Sequence, residues 1–315
     1  MTWRVPRGVW WTAGVGAVIV AGAVFLRFPW QHTAEILEAV DAGLLTAALL
    51  INLVSPFAKG WAWHLLLKPV APNRWWVAEE ANLIGTAVNT LAAGVAGEAV
   101  RISLIMKRDA VPFRPALLSV AWSRVVEGLG LALFLVLAPF ALNLPPALRG
   151  LQIAAGGALI AVLALSRFRG WDGLIAWLPG ALRAGAADLA TMSRGGRLIG
   201  PTALALLSWA AEWATYHLTL LAVHIPASYA ASFTALIAVN LGGLVRITPA
   251  NVGVMQAAMV GALLLFGIAT EQAVAGGLAL QAIEVIPILA LALAAAGWTG
   301  FRRLMAEAAE TRKLA

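Results

Sequence analysis

Eight apolar runs, each near the length of a bilayer-crossing helix, limit what this chain can fold into. They fall at 9–26, 42–66, 116–141, 150–166, 198–222, 231–246, 252–269 and 274–297. A hydrocarbon core of about 30 Å takes roughly 17–25 helical residues to cross. Lipid offers no hydrogen-bond partner to the backbone, so each run must satisfy its own N–H and C=O groups as a helix. The expected fold is an all-α, polytopic membrane bundle forming one integral domain over 1–315. Composition agrees: 61% of residues are hydrophobic and 12% charged, against about 45–50% and 25% in soluble domains. The first run is followed by Arg27-Phe28-Pro29-Trp30, not by the small residues of a cleavage site, so it reads as a retained helix.

A ninth apolar segment, 81–98, is different in kind. It contains the run Asn89-Thr90-Leu91-Ala92-Ala93-Gly94-Val95-Ala96-Gly97-Glu98, followed by Arg101. Ionisable groups at membrane depth cost roughly 2.5–3.5 kcal/mol each even on the most lenient scale, so they mark a pathway or a pair. Loop charges decide how the segment runs. Arg4 and Arg7 precede the first span, Lys68 and Arg74 follow the second, and Arg101, Lys107, Arg108 and Arg114 follow the broken segment. The 27–41 loop is acidic, with Glu35, Glu38 and Asp41 against Arg27. Basic loops stay in the cytoplasm. Both basic sets can do so only if 81–98 enters and returns on one side. Eight crossings plus a re-entrant hairpin in the cytoplasmic membrane then put both termini on its cytoplasmic side, with the basic 167–197 loop and the tail at Arg302, Arg303, Arg312 and Lys313. Trp10, Trp11, Trp30, Trp75, Trp76 and Trp171 fall near the span boundaries, where indole rings prefer the headgroup layer. The segment 171–189 reads either as an interfacial helix or as an ordinary cytoplasmic loop.

A second break lies in the other half: Arg246-Ile247-Thr248-Pro249-Ala250-Asn251-Val252-Gly253-Val254-Met255-Gln256. Irregular backbone survives at membrane depth only where protein or water satisfies it. Paired broken segments in two halves suggest an internal repeat around a shared cavity. The candidate lining is Asn89, Thr90, Gly97, Glu98 and Arg101 from the first break. Arg246, Thr248, Pro249, Asn251, Gly253 and Gln256 come from the second. The competing reading is that these residues satisfy one another and lock helix packing. Arg124 and Glu127 share a helix face at i,i+3 and can pair, or Arg124 can hold a lipid phosphate, whose geometry a guanidinium matches. Glu212 sits within a span with no local basic partner, and Glu284 is similar in the last span. Lys59 is expected to snorkel to the inner interface without a role of its own. Gly242-Gly243 and Gly276-Gly277 are candidate close contacts between helices.

Several classes of chemistry find no support. There are no cysteines, and His32, His64, His217 and His224 are scattered singly, so no metal or other cofactor is expected. His217, within a span, reads as a packed histidine bonded to a neighbouring carbonyl, with a proton carrier as the alternative. The net charge of +7 is what basic cytoplasmic loops produce, and no basic-aromatic motif accompanies it, so nucleic acid is not an expected partner. No dinucleotide or phosphate loop and no nucleophile elbow is present, and the chain is not expected to be an enzyme.

These residues resemble the transmembrane domain of lysylphosphatidylglycerol synthases, a flippase-like membrane superfamily, from about residue 40 to 297. An Asn, then Pro-x-x-x-Gly-Glu and an Arg, is matched by Asn89, Gly97, Glu98 and Arg101. Arg-x-x-acidic is matched by Arg124 and Glu127, and a late Pro-x-x-x-Gly with a Phe-Gly turn by Pro249, Gly253 and Phe266-Gly267. The sequence departs from the pattern twice: Ala93 replaces the first Pro, and Gln256, which cannot ionise, replaces the late Glu. A soluble aminoacyl-transfer domain is not part of these residues, so lysyl transfer is not expected of them. The resemblance implies movement of a lipid or lipid-linked molecule between leaflets, with membrane lipids as partners. The alternatives are a non-catalytic subunit beside a lipid-synthesis enzyme and a membrane-embedded lipid-modifying enzyme.

Overall fold

The computed structural model describes residues 28–92, 96–167, 177–194, 196–243 and 248–314. Among them are twelve α-helices and no strand: α1 Trp30–Glu38, α2 Ala42–Asn52, α3 Val54–Leu67, α4 Trp75–Leu91, α5 Ala96–Asp109, α6 Phe113–Leu137, α7 Arg149–Arg167, α8 Gly180–Ser193, α9 Ile199–Ala222, α10 Tyr229–Gly242, α11 Val254–Leu263 and α12 Thr270–Leu314. Among the described residues, four stretches are long and apolar enough to cross a membrane: Ala42–Leu67, Phe113–Phe140, Pro249–Phe266 and Thr270–Gly300. Pro146–Val162 and Tyr229–Gly242 are shorter apolar helices. The run at 9–26 lies outside the described residues.

Prolines explain where the apolar runs bend. Run 42–66 is two helices meeting at Leu53, because Pro56 has no N–H to give the Asn52 carbonyl. Pro287 within α12 likewise leaves the Ile283 carbonyl without its helical donor. The Asn52 side chain fills that vacancy, donating to the Ile283 oxygen at 3.0 Å. The two proline defects thus meet, and an amide satisfies in apolar surroundings what water cannot.

At the centre stands α9, packed by α2, α3 and α6 on its sides and by α10 near its end. Its buried face carries Ala205, Ser208, Ala211, Thr215, Thr219 and Ala222, small side chains that admit neighbouring backbones closely. Glycines elsewhere do the same. A Cβ on Gly276 would lie 2.8 Å from Leu220, and one on Gly243 would lie 3.2 Å from the Asn251 amide.

Helices α4 and α5 form a hairpin. Contacts pair Gly85 with Gly97, Glu80 with Arg108 and Arg74 with Asp109, an order that makes the two helices antiparallel. They are about 26 and 21 Å long at 1.5 Å per residue, each shorter than the hydrocarbon core. Their backbones touch: a Cβ on Gly97 would lie 2.0 Å from the Gly85 carbonyl oxygen. The basic loop's helix is α8, which begins after Pro179, later than a 171–189 helix would; residues 171–176 lie outside the described set. Arg114 at the start of α6 ties α8 down through Asp188 at 2.8 Å.

Candidate functional site

The first break is built around Asn89 in the last turn of α4. Its carbonyl oxygen accepts from the Gly97 N–H at 2.8 Å, and its amide donates to Glu98 at 3.0 Å. Asn89 therefore covers one of the free N–H groups at the start of α5 and orients the acidic residue of that first turn. Glu98 forms an ion pair with Arg124 of α6. Arg124 also pairs with Glu127 at 2.9 Å, so one guanidinium bridges two carboxylates, as its planar fork allows.

Arg101, three residues after Glu98, is not its ion-pair partner. The Arg101 stem passes over Gly85, whose missing Cβ would come 2.5 Å from Cγ. This carries the guanidinium onto the Trp63 ring, 4.4 Å from its centroid. Arg101 is 3% exposed and its Nε has no hydrogen-bond partner. Trp63 is itself fixed by donating to Ser119 at 3.0 Å.

Glu212 is not without a basic partner. Lys59 of α3 reaches it at 2.6 Å, and Ser55, one helical turn before Lys59, donates to the same oxygen at 2.7 Å. Ser208 closes the network against Ser55 at 2.9 Å. Lys59 thus holds a cross-helix ion pair instead of snorkelling outwards. The separation of 153 residues hid the pair, although Ser55 and Lys59 at i,i+4 share a face.

The second break has no ionic member among the described residues. Thr248 leads into a single 3-10 turn, Pro249–Asn251, and then into α11. Ala250, Asn251 and Gly253 all have positive φ, at 52°, 56° and 84°, a cost that Asn and Gly bear better than Ala. Amides hold the turn: the Gly253 N–H donates to Gln256 at 2.7 Å, Gln256 to Gln281 at 2.9 Å, and Gln281 to the Ala250 carbonyl at 2.7 Å. Arg246 lies outside the described residues.

Both breaks open on one cavity of about 220 Å³. Asn82, Thr86 and Asn89 line it from α4, Arg101 from α5, and Arg124 and Glu127 from α6. Lys59 enters from α3, Thr248 and Asn251 from the second break, and Glu284 from α12. Among the expected residues, Asn89, Thr90, Arg101, Arg124, Glu127, Thr248, Asn251 and Glu284 face this space. Glu98 and Glu212 stand just behind it, each on a cation that lines it. Gly97 serves the hairpin contact, while Pro249, Gly253 and Gln256 shape the second turn. Lys59, Asn82 and Thr86 were not anticipated as lining; Asn82, a buried amide in an apolar helix that donates to the Pro56 carbonyl at 2.9 Å, carried a usable signal.

Fold and site together define a multi-pass helical membrane protein with a polar cavity between two helix breaks. The chain belongs to the family described as lysylphosphatidylglycerol synthase TM region, whose profile matches residues 10–292. Comparison with curated proteins returned no match.

Proposed function

We propose that the chain is a lipid flippase or transporter that moves a lipid or lipid-linked molecule across or within the cytoplasmic membrane. The observation that carries the proposal is the shared cavity, with Lys59, Arg101 and Arg124 among amides and carboxylates inside an apolar bundle. Such a space shelters a charged headgroup, while the acyl chains, too large for it, stay in lipid. In this reading α4 and α5 enter and leave on the cytoplasmic side, eight helices cross, and both termini are cytoplasmic. The short hairpin helices and the polar link between Arg74 and Asp109 at its open end support that topology. The work is binding and passage, without a catalytic step.

The test is reconstitution into vesicles carrying a labelled phospholipid in one leaflet, with reagent quenching of the exposed label. Protein-dependent redistribution that is lost in Arg101→Gln supports the proposal. Folded protein that leaves the leaflet distribution unchanged overturns it and favours a subunit that only supports a lipid-synthesis enzyme.

A further inference from the structure

A second, larger space lies outside the polar cavity: a groove of about 760 Å³ between the hairpin, α3 and α12. Its ends differ in chemistry. Arg74, Lys107 and Arg108 line one end, while Phe57 and Leu83 line the other, with Ala295 and Trp298 of α12 along the side. From Arg74 to Leu83 the helix rises about 14 Å, close to half of a hydrocarbon core of about 30 Å. The groove therefore has the depth of one leaflet, cationic at the surface and apolar below.

The charges at the rim do not cancel. Arg74 is held by Asp109 at 2.7 Å and Arg108 by Glu80 at 2.6 Å. Lys107 is exposed and has no carboxylate partner among the described residues, which leaves one net positive charge at the mouth. The Glu79 carboxylate on the floor is turned in against α3, where a Gly60 Cβ would come 1.9 Å from its oxygen. Trp75, Trp76 and Trp298 are 54%, 49% and 61% exposed along the same groove. Indole rings so placed suit the headgroup layer, and basic pockets between membrane helices suit anionic headgroups.

We propose that this groove binds one anionic phospholipid of the leaflet at the hairpin's open end. Its phosphate sits on Lys107 beside Arg74 and Arg108, and one acyl chain runs past Ala295 towards Leu83 and Phe57. The site is separate from the polar cavity, although α4 contributes to both: Glu79 and Leu83 to the groove, Asn82 and Thr86 to the cavity. The proposal rests on membrane embedding and needs no transport.

The experiment uses the full chain in phosphatidylcholine nanodiscs doped with a phospholipid carrying a photoreactive diazirine in its acyl chain. The probe has either a glycerol or a choline headgroup, and adducts are mapped by peptide mass spectrometry. The glycerol probe is expected to label the Phe57, Leu83 and Ala295 peptides about fivefold more than the choline probe, the preference one basic residue supplies at a membrane surface. Lys107→Glu should abolish that preference, and Trp298→Ala should lower labelling at Ala295 with either probe; both side chains are exposed, so neither change disturbs the core. Ile153 and Ile160, 75% and 69% exposed on α7, report ordinary surrounding lipid. Equal labelling by the two headgroups, or groove labelling no denser than at Ile153 and Ile160, overturns the site. Labelling reads occupancy alone, so a negative leaflet assay leaves a positive outcome here intact.

Discussion

The two helix breaks use the same device, a glycine-bearing interruption at the cavity wall, but they are held in opposite ways. The first is ionic, its helices α4 and α5 joined by Asn89 and strung to α6 through Glu98, Arg124 and Glu127. The second is neutral, closed by the amide ladder from Gly253 through Gln256 and Gln281 to Ala250. An ionic wall can exchange partners with a charged ligand, since a guanidinium shared by two carboxylates has an alternative acceptor in an arriving phosphate. A wall of mutually satisfied amides has little to gain from the same ligand. The comparison assigns adaptability to the first break and shape to the second.

The largest effect should come from the glycines. Gly97→Ala places a Cβ 2.0 Å from the Gly85 carbonyl, a backbone clash that only separation of α4 and α5 relieves. Overpacking of this kind costs about 3 kcal/mol. Gly253→Ala meets nothing within 4 Å but holds φ at 84°, which costs an L-residue about 1–2 kcal/mol. Thermal unfolding in detergent should rank Gly97→Ala well below Gly253→Ala. Equal melting temperatures would mean that the two breaks are held alike.

Next in size is removal of the bridging guanidinium. Arg124→Ala leaves Glu98 and Glu127 without the cation that bridges them. Breaking a buried pair costs about 3–5 kcal/mol, but the Arg124 side chain is 44% exposed, and solvent screening reduces the loss to about 2 kcal/mol. Adding Glu98→Gln and Glu127→Gln should restore most of that stability while leaving lipid redistribution impaired. Recovery of both together would make the ion pairs structural only. The Lys59–Glu212 pair at the cavity wall should show the same logic, with one carboxylate in place of two. A double-mutant cycle with Lys59→Met and Glu212→Gln is expected to give a coupling of about 1–2 kcal/mol. A value near zero would remove that pair from the wall's support.

Local order was legible in the residues wherever the cause was local. Apolar length indicates α2 with α3, α6, α7, α9 and α12, and Pro56 and Pro287 mark where the backbone gives up a bond. The breaks themselves were visible as glycine and polar residues in apolar surroundings. The partners were not. Glu98 and Arg101 stand three apart and invite pairing, but the stem's passage over Gly85 sends Arg101 to Trp63 instead. Lys59 and Glu212 lie on different helices, and only the packing of α3 against α9 joins them. Likewise nothing near Gln256 announces Gln281, since that contact depends on how α11 meets α12.

The smallest expected effect is the most discriminating. Gln256→Glu puts into the second break the acid that the family resemblance implies there. The new carboxylate still accepts from the Gly253 N–H and sits in the first turn of α11, where the helix dipole favours it by about 0.3–1 kcal/mol. It can no longer donate to Gln281, a loss of about 0.5–1.5 kcal/mol. These nearly cancel, so the melting temperature should move by no more than about 2–4 °C, the shift that 1 kcal/mol produces in a domain of 150–250 residues. Lipid redistribution, in contrast, should gain a pH dependence beyond that of the parent chain, whose Glu127 and Glu284 already line the cavity, as the new carboxylate titrates beside it. An unchanged pH profile would mean that charge in the second break does not reach the headgroup space. A large fall in stability would mean that the amide ladder, and not the turn geometry, holds that wall in place.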